Sequence, residues 1–228
     1  MAQSGVNPRC SSEKVVAAMT QMLEPLPDDW RFYGELEIAP TLAGALEAFG
    51  AAGYHGTSVR DIAGRVGLTV PALYYHHGNK EGMLVELLVG SVQHLDRRTR
   101  QAVQEAGDDP AARFSNFVEC VALYMAHRRG LAFLDAETRA LSPRNRRAYA
   151  KVRKQLEDLL RLIVEQGVAT GQFRVTHPDD TVRALLGMLQ AIPTWYDPAG
   201  LLSPTELASR YVQIARQAVG AITEPALG

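Results

Sequence analysis

Cysteine is almost missing from this chain: two residues, Cys10 and Cys120, in 228. They stand far apart, which excludes a disulfide-stapled scaffold and suits a reducing compartment. Cys120 lies in the apolar run FSNFVECVALYM and reads as a small buried hydrophobe. Long apolar stretches are missing too. None reaches the roughly 20 residues that a membrane span needs, and the N-terminus lacks the apolar core of a secretory signal. A cytoplasmic location with no membrane partner is therefore expected. Charge of one sign is also scarce, with 24 Lys and Arg against 25 Asp and Glu and a net charge of −1. A nucleic-acid partner would have to be met by a local footprint rather than by the whole molecule.

Enzyme signatures are absent as well. The chain has no glycine loop to cradle phosphates, no Ser nucleophile elbow and no paired metal ligands. His94 precedes Asp96 by two residues, a spacing that arises often by chance. No catalytic role, cofactor or metal is expected. Strand alternation and internal repeats are lacking too, while 46% of residues are hydrophobic and recur with helical spacing. The expected fold is all-α.

What the chain does have is concentrated in TSVRDIAGRVGLTVPALYYHHGNKEGM, from Thr57 to Met83. Thr57 or Ser58 can cap a first short helix by accepting from an orphan amide. Asp61, three residues after Ser58, makes an imperfect capping box. Val59, Ile62, Ala63 and Val66 recur at i, i+3, i+4 and i+7, one buried helix face. Gly67 supplies a left-handed stop. Thr69 can cap a second helix with Pro71 in its first turn. That helix carries Tyr74, Tyr75 and His76 before the Gly78-Asn79 turn and Lys80. Two short helices at this spacing predict a helix-turn-helix, whose second helix enters the DNA major groove. An ordinary helical hairpin would explain the apolar spacing, but not a hydroxyl, three rings and an ammonium group at these places.

The pattern Gly53-Tyr54, Thr57, Val59-Arg60, Ile62-Ala63, Gly67-Leu68, Leu73-Tyr74-Tyr75-His76, Asn79-Lys80-Glu81 and Leu84 resembles the DNA-binding domain of the TetR family of transcriptional regulators. The resemblance implies an N-terminal helix-turn-helix domain and a C-terminal helical ligand-binding and dimerisation domain, with about nine core helices and one extra at the N-terminus. It implies a homodimer on a palindromic operator in double-stranded DNA, released by a small hydrophobic effector. It assigns Arg60, Val70, Pro71, Ala72, Tyr74 and Tyr75 to bases or the groove, and Thr57, His76 and Lys80 mainly to phosphate and backbone. The residue types are compatible. Arg60 has a fork for guanine, and Val70, Pro71 and Ala72 suit thymine methyls. Residues 54–83 carry only Arg60, Arg65 and Lys80 against Asp61 and Glu81, so modest affinity from a few phosphates is expected, with part of the specificity read from DNA shape. His77 departs from the family, which usually has Phe there. A flat packed ring with its nitrogens turned outward is expected. A His76–His77 metal site is disfavoured, because adjacent helical residues point about 100° apart.

Residues 1–34 read as an extension, 35–83 as the DNA-binding domain and 84–228 as the ligand-binding and dimerisation domain. In the extension, Ser11 or Ser12 can cap a helix to about Leu23. Trp30, Phe32 and Tyr33 make it too aromatic for a disordered tail, so partial order is favoured over a flexible arm. Ile38, Leu42, Leu46 and Phe49 mark the core face of a helix over 36–53. A connector should run from Lys80 to about Ala106, solvated at HLDRRTR. Helices should follow from Pro110 to about His127, Leu131 to Leu141, Pro143 to about Ala169 and Pro178 to about Trp195. The last comes after the capping box Ser203-Pro204-Thr205-Glu206.

The resemblance places a ligand chamber among the middle helices, with candidates Phe114, Phe117, Val121, Tyr124, Met125, Phe133, Leu134, Leu156, Leu186 and Trp195. Such stripes are core more often than pocket, and about half are expected to line a cavity. The dimer is expected across the last two helices through Leu185, Leu189, Ile192, Tyr211, Ile214 and Ala218. From Arg144 to Lys154 the chain has six cations and no acid. A solvated face explains such a run; so does a dock for ligand phosphates, with Arg144 and Arg147 as candidates. The stretch from Trp195-Tyr196 through Pro198 and Gly200 to Leu202-Ser203-Pro204 resembles a junction in TetR-family members that sense acyl-CoA thioesters. A ligand-binding helical dimer with little useful DNA affinity, a carrier or interaction module, is the reading from another class, and salt-dependent DNA binding separates the two.

Overall fold

The computed structural model describes residues 27–221. The expected helix from Ser11 or Ser12 to Leu23 lies outside them, as does Cys10. The described residues are all-α, with no strand among them. A head is built from α1 (Pro40–Gly56), α2 (Val59–Arg65) and α3 (Val70–His77), and α4 (Lys80–Glu105) runs from it into the body. The body continues with α5 (Pro110–His127), α6 (Arg129–Phe133), a 3₁₀ helix (Leu134–Ala140), α7 (Pro143–Ala169), α8 (Pro178–Gln190), α9 (Ile192–Trp195) and α10 (Pro204–Ala218).

Local chemistry sets most of these starts. Side chains of Ser58, Thr69, Asn79, Asp109, Ser142 and Ser203 each accept from an amide of the turn they open, removing orphan donors. The Ser203–Glu206 box is complete, and so is Ser58–Asp61. Gly53 breaks α1 at φ 70°, after which one more turn reaches Gly56.

Three expectations are corrected. The stretch from Leu131 to Leu141 is not one helix but α6 followed by the 3₁₀ helix. The stretch from Pro178 to Trp195 divides at Ala191, since Pro193 has no amide to donate and its ring crowds the preceding turn. The connector is not solvated at HLDRRTR. His94, Asp96, Arg98 and Thr99 are buried, Arg98 to 1% exposure, and only Arg97 and Arg100 reach water. Arg98 Nη1 donates to the carbonyls of Trp30 and Phe32 at 2.7 and 2.8 Å. Trp30 is wholly buried and donates through Nε1 to Glu105 at 2.8 Å. Tyr33 stacks on His127, while Phe32 points to solvent.

Two apolar cores result. One fills the body between α4, α5, α7, α8 and α10. The other fills the head, and it also takes in Leu131, Leu134, Leu141 and Tyr149 from the body. Head and body therefore share a packed seam through the 3₁₀ helix.

Close packing in the body depends on one glycine. A Cβ on Gly167 in α7 would lie 2.0 Å from the Phe173 ring, which is buried and folded back over the helix. Gly167→Ala should therefore destabilise the fold by roughly 1–3 kcal/mol through overpacking, reversing the roughly 1 kcal/mol that alanine usually gains in a helix. Chemical denaturation of the two proteins checks the sign.

Candidate DNA-binding face and effector cavity

In the head, α3 buries Leu73 and leaves the opposite side open. Tyr74 is 44% and Tyr75 85% exposed; Arg60, Pro71 and His76 are exposed too, while Val70 and Ala72 are half-buried. The Tyr75 and His76 rings meet edge-on with centroids 5.3 Å apart. Ahead of this face, the Ser58 hydroxyl and amide hold the Asp61 carboxyl below the usual carboxylate range, which keeps the α2 cap charged.

Two residues assigned to phosphates point inward instead. Thr57 is buried, and its hydroxyl donates to Ala48 O and Gly53 O at 2.9 and 2.8 Å; Ser58 is the cap. Lys80 Nζ donates to Tyr54 O and Thr57 O, both at 2.8 Å, and lies over the Tyr54 ring. Both polar groups close the α1–α2 turn by donating to carbonyls of α1 and of the turn itself.

His77 is corrected as well. Its nitrogens do not turn outward: they lie 3.0 Å from Glu86 Oε2 and 2.8 Å from Thr41 Oγ1, with the His77 and Glu86 side chains each 7% exposed. The ring ties α3 to α1 and α4 through polar contacts where the family's Phe would pack by shape.

In the body, a cavity of about 510 Å³ opens between α4, α5 and α7. Leu88, Val92, Leu95, Met125, Leu131, Leu156 and Leu186 give it apolar walls. Its polar lining comes mainly from α7 and the 3₁₀ helix: Asp135, Thr138, Arg146, Tyr149, Arg153, Lys154 and Glu157. Arg146 and Lys154 are exposed, so the cavity meets solvent beside them. Asp135 accepts from Tyr149 Oη at 2.5 Å and from Arg153 Nη1 at 3.0 Å. Burial, followed by the nearby Asp135 charge, pushes the Tyr149 hydroxyl well above its usual range, so it stays a donor. Arg146 Nη2 donates to Arg139 O and Leu141 O, and Lys154 pairs with Asp158.

Of the expected ligand residues, Tyr124, Met125, Leu156 and Leu186 line this cavity. Phe114, Phe117 and Val121 are body core away from it, with Phe114 edge-on to Phe173. Leu134 belongs to the head core, Phe133 is exposed, and Trp195 is exposed and stacked on Tyr211. Arg144 and Arg147 do not line the cavity. Arg146, Tyr149, Ala150, Arg153 and Glu157 share the helix face that does, and their i, i+3, i+4 spacing was the signal that could have found them.

Of the expected dimer contacts, Leu185, Leu189 and Ile192 are buried inside the single chain and cannot face a partner. The apolar face of α8 points into its own body. Ile214 is 49% exposed, Ala218 is exposed and Tyr211 is half-buried on α10. Where head meets body, Glu81 Oε1 accepts from Ser142 N at 2.6 Å and Asn145 Nδ2 at 2.7 Å. Burial raises the Glu81 carboxyl, but these donors outweigh it and hold it below the usual range.

Restoring the family's residue at His77 should harm this chain. His77→Phe leaves Glu86 buried without its partner and is expected to cost roughly 1–3 kcal/mol. Adding Glu86→Leu should recover much of the loss, because the buried charge goes with it. Denaturant midpoints of the single and double variants check this.

A model described as "Bacterial regulatory proteins, tetR family" matches residues 42–87, and one described as "Tetracyclin repressor-like, C-terminal domain" matches residues 107–219. The HTH-type transcriptional repressor KstR2 of Mycobacterium tuberculosis (strain ATCC 25618 / H37Rv) is 30% identical over 183 residues, covering 79% of this chain and 90% of that protein. Among solved structures, the TetR family regulator PfmR from Thermus thermophilus aligns with a TM-score of 0.72 at 30% identity, over 81% of this chain and 99% of that one. The ketosteroid transcriptional regulator KstR2 of Mycobacterium tuberculosis aligns with a TM-score of 0.71 at 26% identity, over 81% and 94%. Both halves of the chain thus match models of one family, and the chain belongs to the TetR family of transcriptional regulators.

Proposed function

We propose that this chain is a homodimeric repressor that holds a palindromic operator and lets it go when a CoA thioester with a bulky acyl group occupies the body cavity. The observation that carries the effector class is the cavity's lining. Leucines and Met125 offer an apolar bed, and Arg146, Arg153 and Lys154 stand on one helix beside it. An acyl group suits the first, and anionic oxygens of a nucleotide head suit the second. Arg146 is the strongest candidate anchor, since its guanidinium donates to two carbonyls, which leave its charge to be answered. The Trp195–Pro204 junction supports the same class, and the likeness to a ketosteroid regulator supports a large apolar body. On the DNA side, Arg60, Tyr74, Tyr75 and His76 form the exposed set through which the head would meet the groove. Exposed Ile214 and Ala218 on α10 offer a start for the dimer contact.

The test is fluorescence anisotropy of a labelled fragment from the region upstream of the chain's own reading frame. Binding should fall steeply with salt, and a CoA thioester should release the DNA where free CoA and the free acid do not. Salt-indifferent or undetectable binding would support the helical carrier instead. Tyr74→Ala should weaken operator binding by roughly tenfold or more while light scattering still reports a dimer. Arg146→Ala should raise the thioester concentration needed for release about tenfold, in line with one charged hydrogen bond.

A further inference from the structure

One residue in the head is gripped from two sides. The Tyr54 amide donates to Glu137 Oε1 at 3.1 Å, and the Tyr54 carbonyl accepts from Lys80 Nζ at 2.8 Å. Lys80 also holds Thr57 O. The turn from Gly53 to Thr57 sets how α2 leaves α1, and so where the helix-turn-helix points. Its conformation is held by the connector through Lys80 and by the body through Glu137.

Glu137 sits on the 3₁₀ helix, where residues three apart eclipse one another. Leu134, Glu137 and Ala140 therefore share one side, and it faces the head: Leu134 and Ala140 pack in the head core and Glu137 reaches Tyr54. Asp135 and Thr138 share another side, and both line the cavity. Asp135 is held there by Tyr149 and Arg153. Beyond the far end of the segment, Glu81 pins Ser142 and Asn145. The segment is thus anchored at one end, and it carries a cavity group and a head group two residues apart on one short rigid piece.

We propose that the 3₁₀ helix is the transmission element of this regulator, with Arg153–Asp135 the sensing pair and Glu137 the residue that passes the signal to Tyr54. The inference rests on the ligand-responsive reading above. An anion that binds Arg153 draws the guanidinium off Asp135. Asp135 then keeps Tyr149 alone, its side of the segment shifts, and Glu137 loosens its hold on the turn. Glu137 is a positioning residue: it touches neither DNA nor effector.

The test needs no effector. Operator binding is measured for Arg153→Met, Glu137→Ala and the double variant of the full chain. Arg153→Met, remote from the DNA, should weaken binding about fivefold or more. In the Glu137→Ala background the same substitution should change affinity by less than about twofold. Glu137→Gln keeps an acceptor for the Tyr54 amide and should preserve the response. Hydrogen exchange gives a second readout: the Tyr54 amide should exchange faster in Arg153→Met than in wild type, a change no general loss of stability confines to that turn. Equal effects of Arg153→Met in both backgrounds, or unchanged exchange at Tyr54, would overturn the inference. A wild type that binds no DNA overturns the functional reading itself. Release of wild type by a thioester alongside independent Arg153 and Glu137 effects overturns only the transmission route.

Discussion

A helix with one apolar face can lean on a neighbour and swing away from it; a helix buried all round cannot. From Met83 to Ser91 every residue of α4 is buried. This stretch is the post around which α1, α3 and the body's Leu131, Leu134 and Leu141 pack. Its second half continues into the body core with Leu95, Ala102 and Val103. Close-packed interiors shift between discrete arrangements rather than deform smoothly. A change in the body can therefore reach the head through α4 or through what encloses it. The 3₁₀ helix and the start of α7 are part of that enclosure, and the Glu81 and Glu137 contacts bridge head and body there.

Burying α4 has a chemical consequence, because it takes polar side chains inside. Glu86 is answered by His77, Asp96 by Arg100 at 2.8 Å, and the Thr99 hydroxyl donates to Leu95 O. Arg98 is met differently: the carbonyls of Trp30 and Phe32 accept from it, and the Tyr33 ring lies 4.1 Å from its guanidinium carbon. A buried charge without such acceptors is strongly unfavourable. Residues 30–33 thus supply the buried Arg98 with acceptors and a ring face, and Trp30 fills the body core beside it. This segment packs against the body through Trp30 and Tyr33.

These relations explain what was legible in the sequence. Caps at Ser58, Thr69 and Ser203 and the stops at Gly53 and Gly67 depend on neighbours within a few residues, so residue type and spacing disclose them. The fold class followed from the same local signals. Thr57 and Lys80 show where this fails. A hydroxyl and an ammonium group suit a phosphate or an internal carbonyl equally well, and only the tertiary turn decides. Leu185, Leu189 and Ile192 show a second failure: periodicity reports that a face is buried, not whether its own body or a second subunit buries it. Glu137 carried no signal, since its partner is a main-chain amide far away in sequence. At His77 the departure from the family's pattern was visible, but its compensation by Thr41 and Glu86 was not.

The cations beside the cavity bear on how strongly an anionic effector could act. Arg153, Arg146 and Lys154 already donate to Asp135, to two carbonyls and to Asp158. An arriving anion exchanges acceptors rather than filling unmet donors, so its net gain is a difference between similar terms. The Lys154–Asp158 pair is exposed and contributes little either way. Arg153 is the informative exchange, because the group it leaves, Asp135, belongs to the segment that touches the head. The charged hydrogen bond that holds Asp135 contributes on the order of 1–3 kcal/mol, which is also the usual scale of coupling between two sites. That coincidence of scale is what a switch requires: a much stronger pair would hold the segment against any ligand, and a much weaker one would leave it loose without one.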